Sequence, residues 1–373
     1  MEEWFAPRWA EPWDAVGLVC GDPDDGLGRV LLAVDAVPLT VDEALDAGAQ
    51  LLITHHPLLL SAVHGVPAND PKGALVHRMV RGGLAHFVAH TNADVADPGV
   101  SDALGAWLGL SRLRPLVAQP DEPSDKLVVF VPVEDAERLT DVLAAAGAGA
   151  IGAYDRCAWT SVGTGTFRPR DGADPAVGRI GEIETVRESR VEMIVPNRRR
   201  DAVIAALRAN HPYEEPAFDL LAQTALPTRR GTGRVGELPE AMTLRAFTQH
   251  AAAVLPATAS GLRAAGDPDQ AVRTIAVCGG SGGALAEVAR AAGADAYLTA
   301  DLKHHPTSEA VAERGSNGMA LVDAAHWATE APWLDAVADR LRDRFGTTVD
   351  VRVSRRVTDP WTVHASSPQK ASP

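Results

Sequence analysis

Cysteine is scarce in this sequence. Cys20, Cys157 and Cys278 lie far apart in 373 residues and form no CxxC pair. An odd and sparse set argues against a disulfide framework and is typical of a reducing compartment. We therefore expect a cytoplasmic protein whose cysteines are small core residues.

Long apolar runs and positive charge are also in short supply. No stretch approaches the roughly 18–20 apolar residues of a membrane span, and the N-terminus MEEWFAPRWAEPWD lacks the basic and apolar regions of a signal peptide. With 49 acidic against 35 basic residues, the formal charge is -14. Such a surface repels phosphate backbones and anionic lipid, so we expect no nucleic-acid or membrane partner. A solvated turn explains the one compact basic run, 198–200.

Two parts of the chain repeat the order strand, helix, strand, followed later by a third strand. The first copy has predicted strands at 29–37, 50–54 and 85–89, and a helix at 40–48 with Thr40 as N-cap. The second copy has predicted strands at 274–278, 295–299 and 319–323, and a helix at 284–294. In each copy the second strand leads to His-His-Pro, at 55–57 and 304–306. We favour duplication over chance similarity between alanine-rich units, which predicts two α/β halves with mainly parallel sheets.

The segment between the copies has a different pattern. Strands are predicted at 126–132, 191–196 and about 217–221, with helices at 133–147 and 201–210. This order indicates a ferredoxin-like α+β insert. The predicted domains are an N-terminal α/β half (1–124), the insert (125–223), a C-terminal α/β half (224–357) and a tail (358–373).

Metal-ligand residue types follow the predicted strands. Because α/β folds place their sites at the carboxyl ends of parallel strands, we expect these side chains to meet. His and Glu four residues apart on a helix share one face, as at 326 and 330. The predicted ligands are His55, His56, Asp94, His326 and Glu330.

Three imidazoles and two carboxylates are too many for one tetrahedral zinc and suit two ions bridged by a carboxylate. Nitrogen and oxygen donors fit zinc, iron, manganese, cobalt or nickel. Asp301 and His305 are candidate catalytic residues that pass protons beside the ions, the alternative being that they support the ligands. The run Gly279–Gly283 lacks the lysine of a P-loop; it either holds a phosphate at a helix N-terminus or forms a tight turn.

Together, five motifs resemble the Ngg-one-interacting-factor-three-like dinuclear metal-centre family, whose members are often described as GTP cyclohydrolase 1 type 2 homologues. They are WDAVGL at 13–18, THHP at 54–57, HTNAD at 90–94, TADLKHH at 299–305 and DAAHWATE at 323–330. The resemblance spans nearly the whole chain, and the departures at Ala15, Ala300 and Ala325 remove no ligand. It implies that His56 and Asp94 bind one ion, that His55 and His326 bind the other, and that Glu330 bridges them.

The insert resembles a domain related to nitrogen-regulatory PII and copper-tolerance CutA proteins, on the residues at 154–159, 163–169 and 211–217. Such relatives form trimers that stack into a homohexameric toroid, which is the self-association implied here. His211, Glu214 and Glu215 form either a further metal site or a structural turn, and we favour the turn. The implied activity is metal-dependent hydrolysis of the purine ring of GTP, with a nucleotide as substrate. The alternative is a non-catalytic metal-binding scaffold or regulatory protein.

Overall fold

Helices and strands alternate along most of the chain. A computed structural model describes residues 1–312 and 318–365. The α-helices in these ranges are α1 (Pro38–Asp46), α2 (Pro71–Arg81), α3 (Thr91–Asp94), α4 (Val100–Trp107), α5 (Ala136–Ala145), α6 (Arg200–Asn210), α7 (Leu244–Val254), α8 (Ala286–Ala291), α9 (His304–Ala312) and α10 (His326–Phe345). The strands are β1 (Gly17–Cys20), β2 (Arg29–Ala33), β3 (Leu51–Thr54), β4 (Ala85–Val88), β5 (Ser111–Pro120), β6 (Ser124–Pro132), β7 (Ala158–Phe167), β8 (Glu184–Pro196), β9 (Phe218–Ala222), β10 (Pro227–Thr243), β11 (Arg263–Ala265), β12 (Ala271–Val277), β13 (Ala296–Ala300), β14 (Ala320–Ala324) and β15 (Asp350–Val353).

The chain divides into two compact units. The larger unit is Met1–Gln119 with Arg229–Pro373, and the smaller is Pro120–Thr228. The predicted mixed α/β fold is confirmed. Within the described ranges, no helix is both long and apolar enough to cross a membrane. Part of the predicted tail, 366–373, lies outside the described residues.

The larger unit contains two sheets built around parallel strands. The first has the order β1-β4-β3-β2-β15, in which β15, β2, β3 and β4 run parallel and β1 antiparallel. The second has the order β11-β14-β13-β12-β10-β5, in which β12, β13 and β14 run parallel. Central parallel strands are covered on both faces, which explains why all of Ala296–Ala300 is buried.

Helix α10 is fixed against both sheets of this unit. Its Trp333 and Leu334 share a core with Val30 and Leu32 of β2, and the helix also contacts β13. It packs along α4, whose Leu104 belongs to the core of the second sheet. Residues in the first turn of α10 therefore have defined positions relative to the strand ends of both sheets.

Several element boundaries differ from the sequence predictions. Thr40 is not the N-cap of α1: the cap is Val37, because Pro38 suits the first helical position and starts the helix earlier. The Thr40 hydroxyl instead donates to the carbonyl oxygen of Asp35 at 2.6 Å. The predicted helix 284–294 is a short 3-10 turn followed by the six-residue α8. Three residues separate the end of β13 from His304, which begins α9, whereas His55 follows β3 directly.

The smaller unit is one antiparallel sheet, in the order β7-β8-β6-β9, with two helices on one face. Leu127 and Val129 of β6 and Val191 of β8 pack against Leu139 of α5 and Leu207 of α6. Along the second half of β8, alternate residues (Ser189, Val191, Met193 and Val195) are buried, as expected for a sheet covered on one side.

Candidate metal centre

Four imidazoles meet at the ends of strands in the larger unit. His55 and His56 follow β3, His90 follows β4, and His326 begins α10 after β14. The ring centroids of neighbouring histidines lie 5.1–5.5 Å apart. These are the carboxyl ends of parallel strands, where α/β folds place ligands.

The Glu330 carboxylate lies among these rings, with its side chain only 4% exposed. Its Oε2 is 3.0 Å from His56 Nε2, and its Oε1 is 3.0 Å from His326 Nε2 and 3.5 Å from His55 Nε2. Asp94 Oδ1 lies 3.7 Å from His55 Nε2. The structure thus brings together all five predicted ligands, and it adds His90.

Each ring is held through its Nδ1 atom. An Nδ1–H that donates to an oxygen leaves the lone pair on Nε2, and metal-binding histidines are usually oriented in this way. The four acceptors are Asp35 for His56 (2.7 Å), Asp301 for His326 (2.7 Å), Asp14 for His90 (2.8 Å) and the carbonyl oxygen of Ala89 for His55 (2.9 Å). In its neutral form, which is the form that binds a metal, each of the His55, His56 and His326 rings therefore has its Nε2 lone pair directed toward the cluster.

The loop after β4 explains why HTNAD has this composition. Asn92 Oδ1 accepts the backbone N–H of His90 at 2.9 Å, and its Nδ2 donates to the carbonyl oxygen of Phe5 at 2.8 Å. Asp14 Oδ2 accepts the backbone N–H of Thr91 at 3.0 Å. The polar residues between His90 and Asp94 therefore fix the backbone that carries both side chains.

Charge is concentrated in this cluster. Burial lowers the pKa of an imidazole, yet the pKa of His56 is raised to about 11 and that of His326 to about 9, because Glu330 stabilises the imidazolium forms. Burial favours the neutral form of Glu330, but the neighbouring imidazoles hold its pKa well below the usual value. Burial, together with the charge on Glu330, raises the pKa of Asp94 to about 6.

The donor set fits metal ions. His55 Nε2 and Glu330 Oε2 are buried without a hydrogen-bond partner among the described residues. Such orphaned atoms are unfavourable unless something else binds them. Two donors about 2.0–2.1 Å from one tetrahedral ion lie about 3.3 Å apart, close to the 3.0–3.7 Å separations seen here. Two donor groups, His55 with His56 and His90, and His56 with His326 and Glu330, each lie within 4.8 Å.

The glycine run lies directly against this cluster. A Cβ at Gly280, whose φ is +66°, would be 2.5 Å from Glu330 Oε1. The N–H groups of Gly279, Gly280 and Gly282 donate to the hydroxyls of Ser101, Thr329 and Thr299. Because these amides are already engaged, the run is better explained as a tight turn that admits the carboxylate than as a phosphate cradle.

The other predicted residues have separate surroundings. Asp301 orients His326, in a backbone conformation with φ +58° that non-glycine residues seldom adopt. His305 is exposed on α9 and packs against His304. In the smaller unit, His211 donates from Nε2 to the carbonyl oxygen of Phe130 and accepts the N–H of Tyr213 at Nδ1. Both of its nitrogens are used, which supports a structural turn there.

Sequence reasoning missed His90, Asp14 and Asp35 as members of the site. His90 lies in the HTNAD motif and Asp14 in the WDAVGL motif, and membership of these motifs is the sequence signal for both. Asp35 stands just beyond β2, at the same kind of strand end as the ligands, and that position was the available signal.

Comparison with known proteins gives similarity along nearly the whole chain. The sequence profile of the family described as Duf34/NIF3 (NGG1p interacting factor 3) matches residues 1–360. A Mycobacterium leprae protein named GTP cyclohydrolase 1 type 2 homolog is 50% identical over 368 residues, covering 98% of this chain and 94% of that protein. A Bacillus subtilis protein of the same name is 37% identical, covering 96% of each.

Solved structures give the same result. A Bacillus cereus protein related to NIF3 matches with a TM-score of 0.72 at 35% identity, over 97% of this chain and 96% of that one. A Staphylococcus aureus protein matches with a TM-score of 0.80 at 27% identity, over the same shares.

Proposed function

We propose that the chain, which belongs to the Duf34/NIF3 family, holds two divalent metal ions around Glu330 and uses them to hydrolyse a purine nucleotide. One observation carries the proposal: four imidazoles, each held through Nδ1, surround one buried carboxylate. Oriented nitrogen and oxygen donors of this kind suit zinc, iron, manganese, cobalt or nickel.

For the ligands, we propose that Glu330 bridges the ions, that His56 and Asp94 hold one, and that His55 and His326 hold the other. Two overlapping donor groups, one of His55, His56 and His90 and one of His56, His326 and Glu330, support more than one ion position, whereas the division of the ligands between the two ions follows the family resemblance. They also make His90 a further candidate ligand, because its ligand atom lies within 4.8 Å of those of His55 and His56.

When bound, two cations lower the pKa of a water molecule and stabilise negative charge that develops on the substrate. The chain itself contributes orientation: Asp35 and Asp301 keep the His56 and His326 rings aimed at Glu330. Because the Asp301 carboxylate is engaged by His326 Nδ1, its role is better explained as positioning the His326 ring than as transferring a proton to or from the substrate. A proton-transfer role for His305 stays a prediction, since its exposed ring lies against His304.

For the substrate, we propose GTP, opened in its purine ring with release of formate. The relatives named GTP cyclohydrolase 1 type 2 homolog support this choice.

A non-catalytic metal-binding scaffold or regulatory protein is the second candidate, and the surroundings of the cluster favour it in one respect. Asp35, Asp301, Asp323 and Asp359 all line the cavity beside His56 and His326. The engaged amides of the glycine run add no anion site. A triphosphate therefore depends on bound cations for charge compensation.

Four finer proposals concern architecture and location. The order β7-β8-β6-β9, with helices after β6 and β8, supports a ferredoxin-like insert. Three consecutive parallel strands in each larger sheet support duplication of the α/β halves. A homohexameric toroid and a cytoplasmic location remain predictions from the resemblance and from the composition.

Metal stoichiometry tests the centre. We expect two ions per chain in the wild type, a larger loss in Glu330→Gln than in His56→Ala, and partial retention in the latter, because only Glu330 is shared. Elemental analysis after dialysis measures this. One ion per wild-type chain, or full loading of Glu330→Gln, would reject the dinuclear arrangement.

Formate release tests the reaction. Metal-loaded protein incubated with GTP should release formate, the release should stop on chelation, and it should return with a divalent ion. Glu330→Gln supplies the background. Metal-loaded wild type that releases no formate above this background would favour the scaffold.

A further inference from the structure

A cavity of about 690 Å³ lies beside the cluster in the larger unit, with His56 and His326 in its wall. This volume is in the range of small-molecule sites. Part of the wall is the C-terminal segment Thr358–Trp361, which the sequence places in a tail. The segment therefore borders the space from which a substrate would reach the cluster.

Specific contacts anchor this segment. The Thr358 hydroxyl donates to Asp35, the same carboxylate that accepts from His56 Nδ1. Asp359, the next residue, is only 7% exposed. The backbone that leads to Trp361 is thus tied to a residue that orients a proposed metal ligand.

The Trp361 side chain contrasts with the other tryptophans of this region. Trp327 and Trp333 on α10 are 6% and 1% exposed and fill the core, whereas Trp361 is 68% exposed while lining the cavity. A tryptophan held on an anchored backbone beside a polar site presents a large flat face at low conformational-entropy cost. That face stacks favourably on planar rings.

The charge of the cavity wall determines which kind of planar ring can bind beside Trp361. Four aspartates line the cavity, and the guanidinium of Arg263 is paired with one of them, Asp323, at 2.6 Å. An anionic group against this wall would be repelled, whereas an uncharged ring carrying hydrogen-bond donors is compatible with carboxylate acceptors.

We propose that Trp361 is a specificity-determining residue that stacks on an uncharged, planar heteroaromatic ring of the substrate, of the nucleobase class, beside the metal cluster. The proposal rests on the proposed function only in taking this cavity as the substrate site. It assigns recognition to the C-terminal segment and no chemical step to Trp361.

Binding of nucleosides tests this assignment without turnover. Titration calorimetry of metal-loaded protein with guanosine, adenosine and cytidine, and with ribose as the ringless probe, compares the wild type with Trp361→Ala and Trp361→Phe. Trp361→Ala should weaken nucleoside binding about fivefold to a hundredfold, the usual effect of removing a base-stacking aromatic residue. Trp361→Phe should retain most of the wild-type affinity for the nucleosides. The binding of ribose, which has no aromatic ring, should be the same in all three proteins. Trp159→Ala, which removes a 57% exposed tryptophan from the smaller unit, is the matched control.

The outcomes separate this proposal from the hydrolase. Nucleoside binding that depends on Trp361, in protein that releases no formate from GTP, would contradict the proposed GTP hydrolysis and keep the recognition role. Three results overturn the recognition role: no nucleoside binds the metal-loaded wild type, Trp361→Ala binds as tightly as the wild type, or Trp361→Ala loses its metal, which would make the residue structural.

Discussion

Replacing Gly280 with alanine should expel metal while leaving the fold intact. The added Cβ would lie 2.5 Å from Glu330 Oε1 and 3.1 Å from His326 Nε2. Carbon and oxygen atoms that are not bonded normally stay about 3.3–3.6 Å apart, so the carboxylate must retreat by about 1 Å. Metal–ligand distances tolerate only about 0.2 Å, so the shared ligand would leave its position.

The cost to stability should be small by comparison. Gly280 has φ +66°, and an alanine in this conformation costs about 1–2 kcal/mol. The free energy of unfolding of an ordinary folded protein is about 5–15 kcal/mol, which exceeds this cost. Gly280→Ala should therefore remain folded, with a lower unfolding midpoint.

Gly283→Ala is the matched control in the same turn. Its Cβ would meet its nearest neighbour, Leu302 Cδ2, at an ordinary 3.7 Å. Elemental analysis and metal titration should give the wild-type ion count for Gly283→Ala and at least one ion fewer for Gly280→Ala, with unchanged far-UV circular dichroism in both. If Gly280→Ala bound metal with the affinity and stoichiometry of the wild type, the inference that position 280 must lack a side chain to admit Glu330 and His326 would be refuted.

Two further predictions concern buried groups. Arg234, 1% exposed, pairs with Asp102 and donates to three carbonyl oxygens. The free energy of unfolding of Arg234→Met, measured in urea, should therefore be about 3–5 kcal/mol lower than that of the wild type. A decrease under about 1 kcal/mol would contradict this prediction. Burial lowers the pKa of the His86 imidazole to about 4. Between about pH 6.5 and 4, this imidazole is therefore protonated in the unfolded chain but not in the folded one. The free energy of unfolding then falls as the pH falls through that range. In protein from which metal has been removed with a chelator, acidification from pH 7 to 5 should lower the free energy of unfolding of the wild type by about 2 kcal/mol more than that of His86→Leu. Equal losses in the two proteins, measured by urea unfolding, would contradict the lowered pKa of His86.

The sheets could be predicted because their strands carry a strong local signal. Short runs of branched and other apolar residues, such as 30–33 and 296–300, are buried from end to end and recognisable from the sequence alone. Helix starts were less predictable, because several residue types compete for them. Pro38 began α1 ahead of Thr40, although threonine is the better cap by side-chain chemistry.

The five candidate ligands could be predicted because they stand at strand ends or on the helix that follows, but most of the residues that orient the histidines could not. Asp14 holds His90 across 76 positions of sequence, and Asp35 holds His56 across 21. No periodicity links such pairs; only the sheet order, which places β2 beside β3 and the N-terminal segment over β4, brings them into contact.

The two His-His-Pro segments show why an identical motif need not have an identical role. After β3, His55 and His56 are the first two residues and turn into the cluster. After β13, the first residue is Asp301, and the histidines come three residues later, on an exposed helix. Counted from the strand end, Asp301 stands where His55 stands. It serves the cluster by orienting His326, so one strand end supplies a histidine and the other the carboxylate that fixes a histidine.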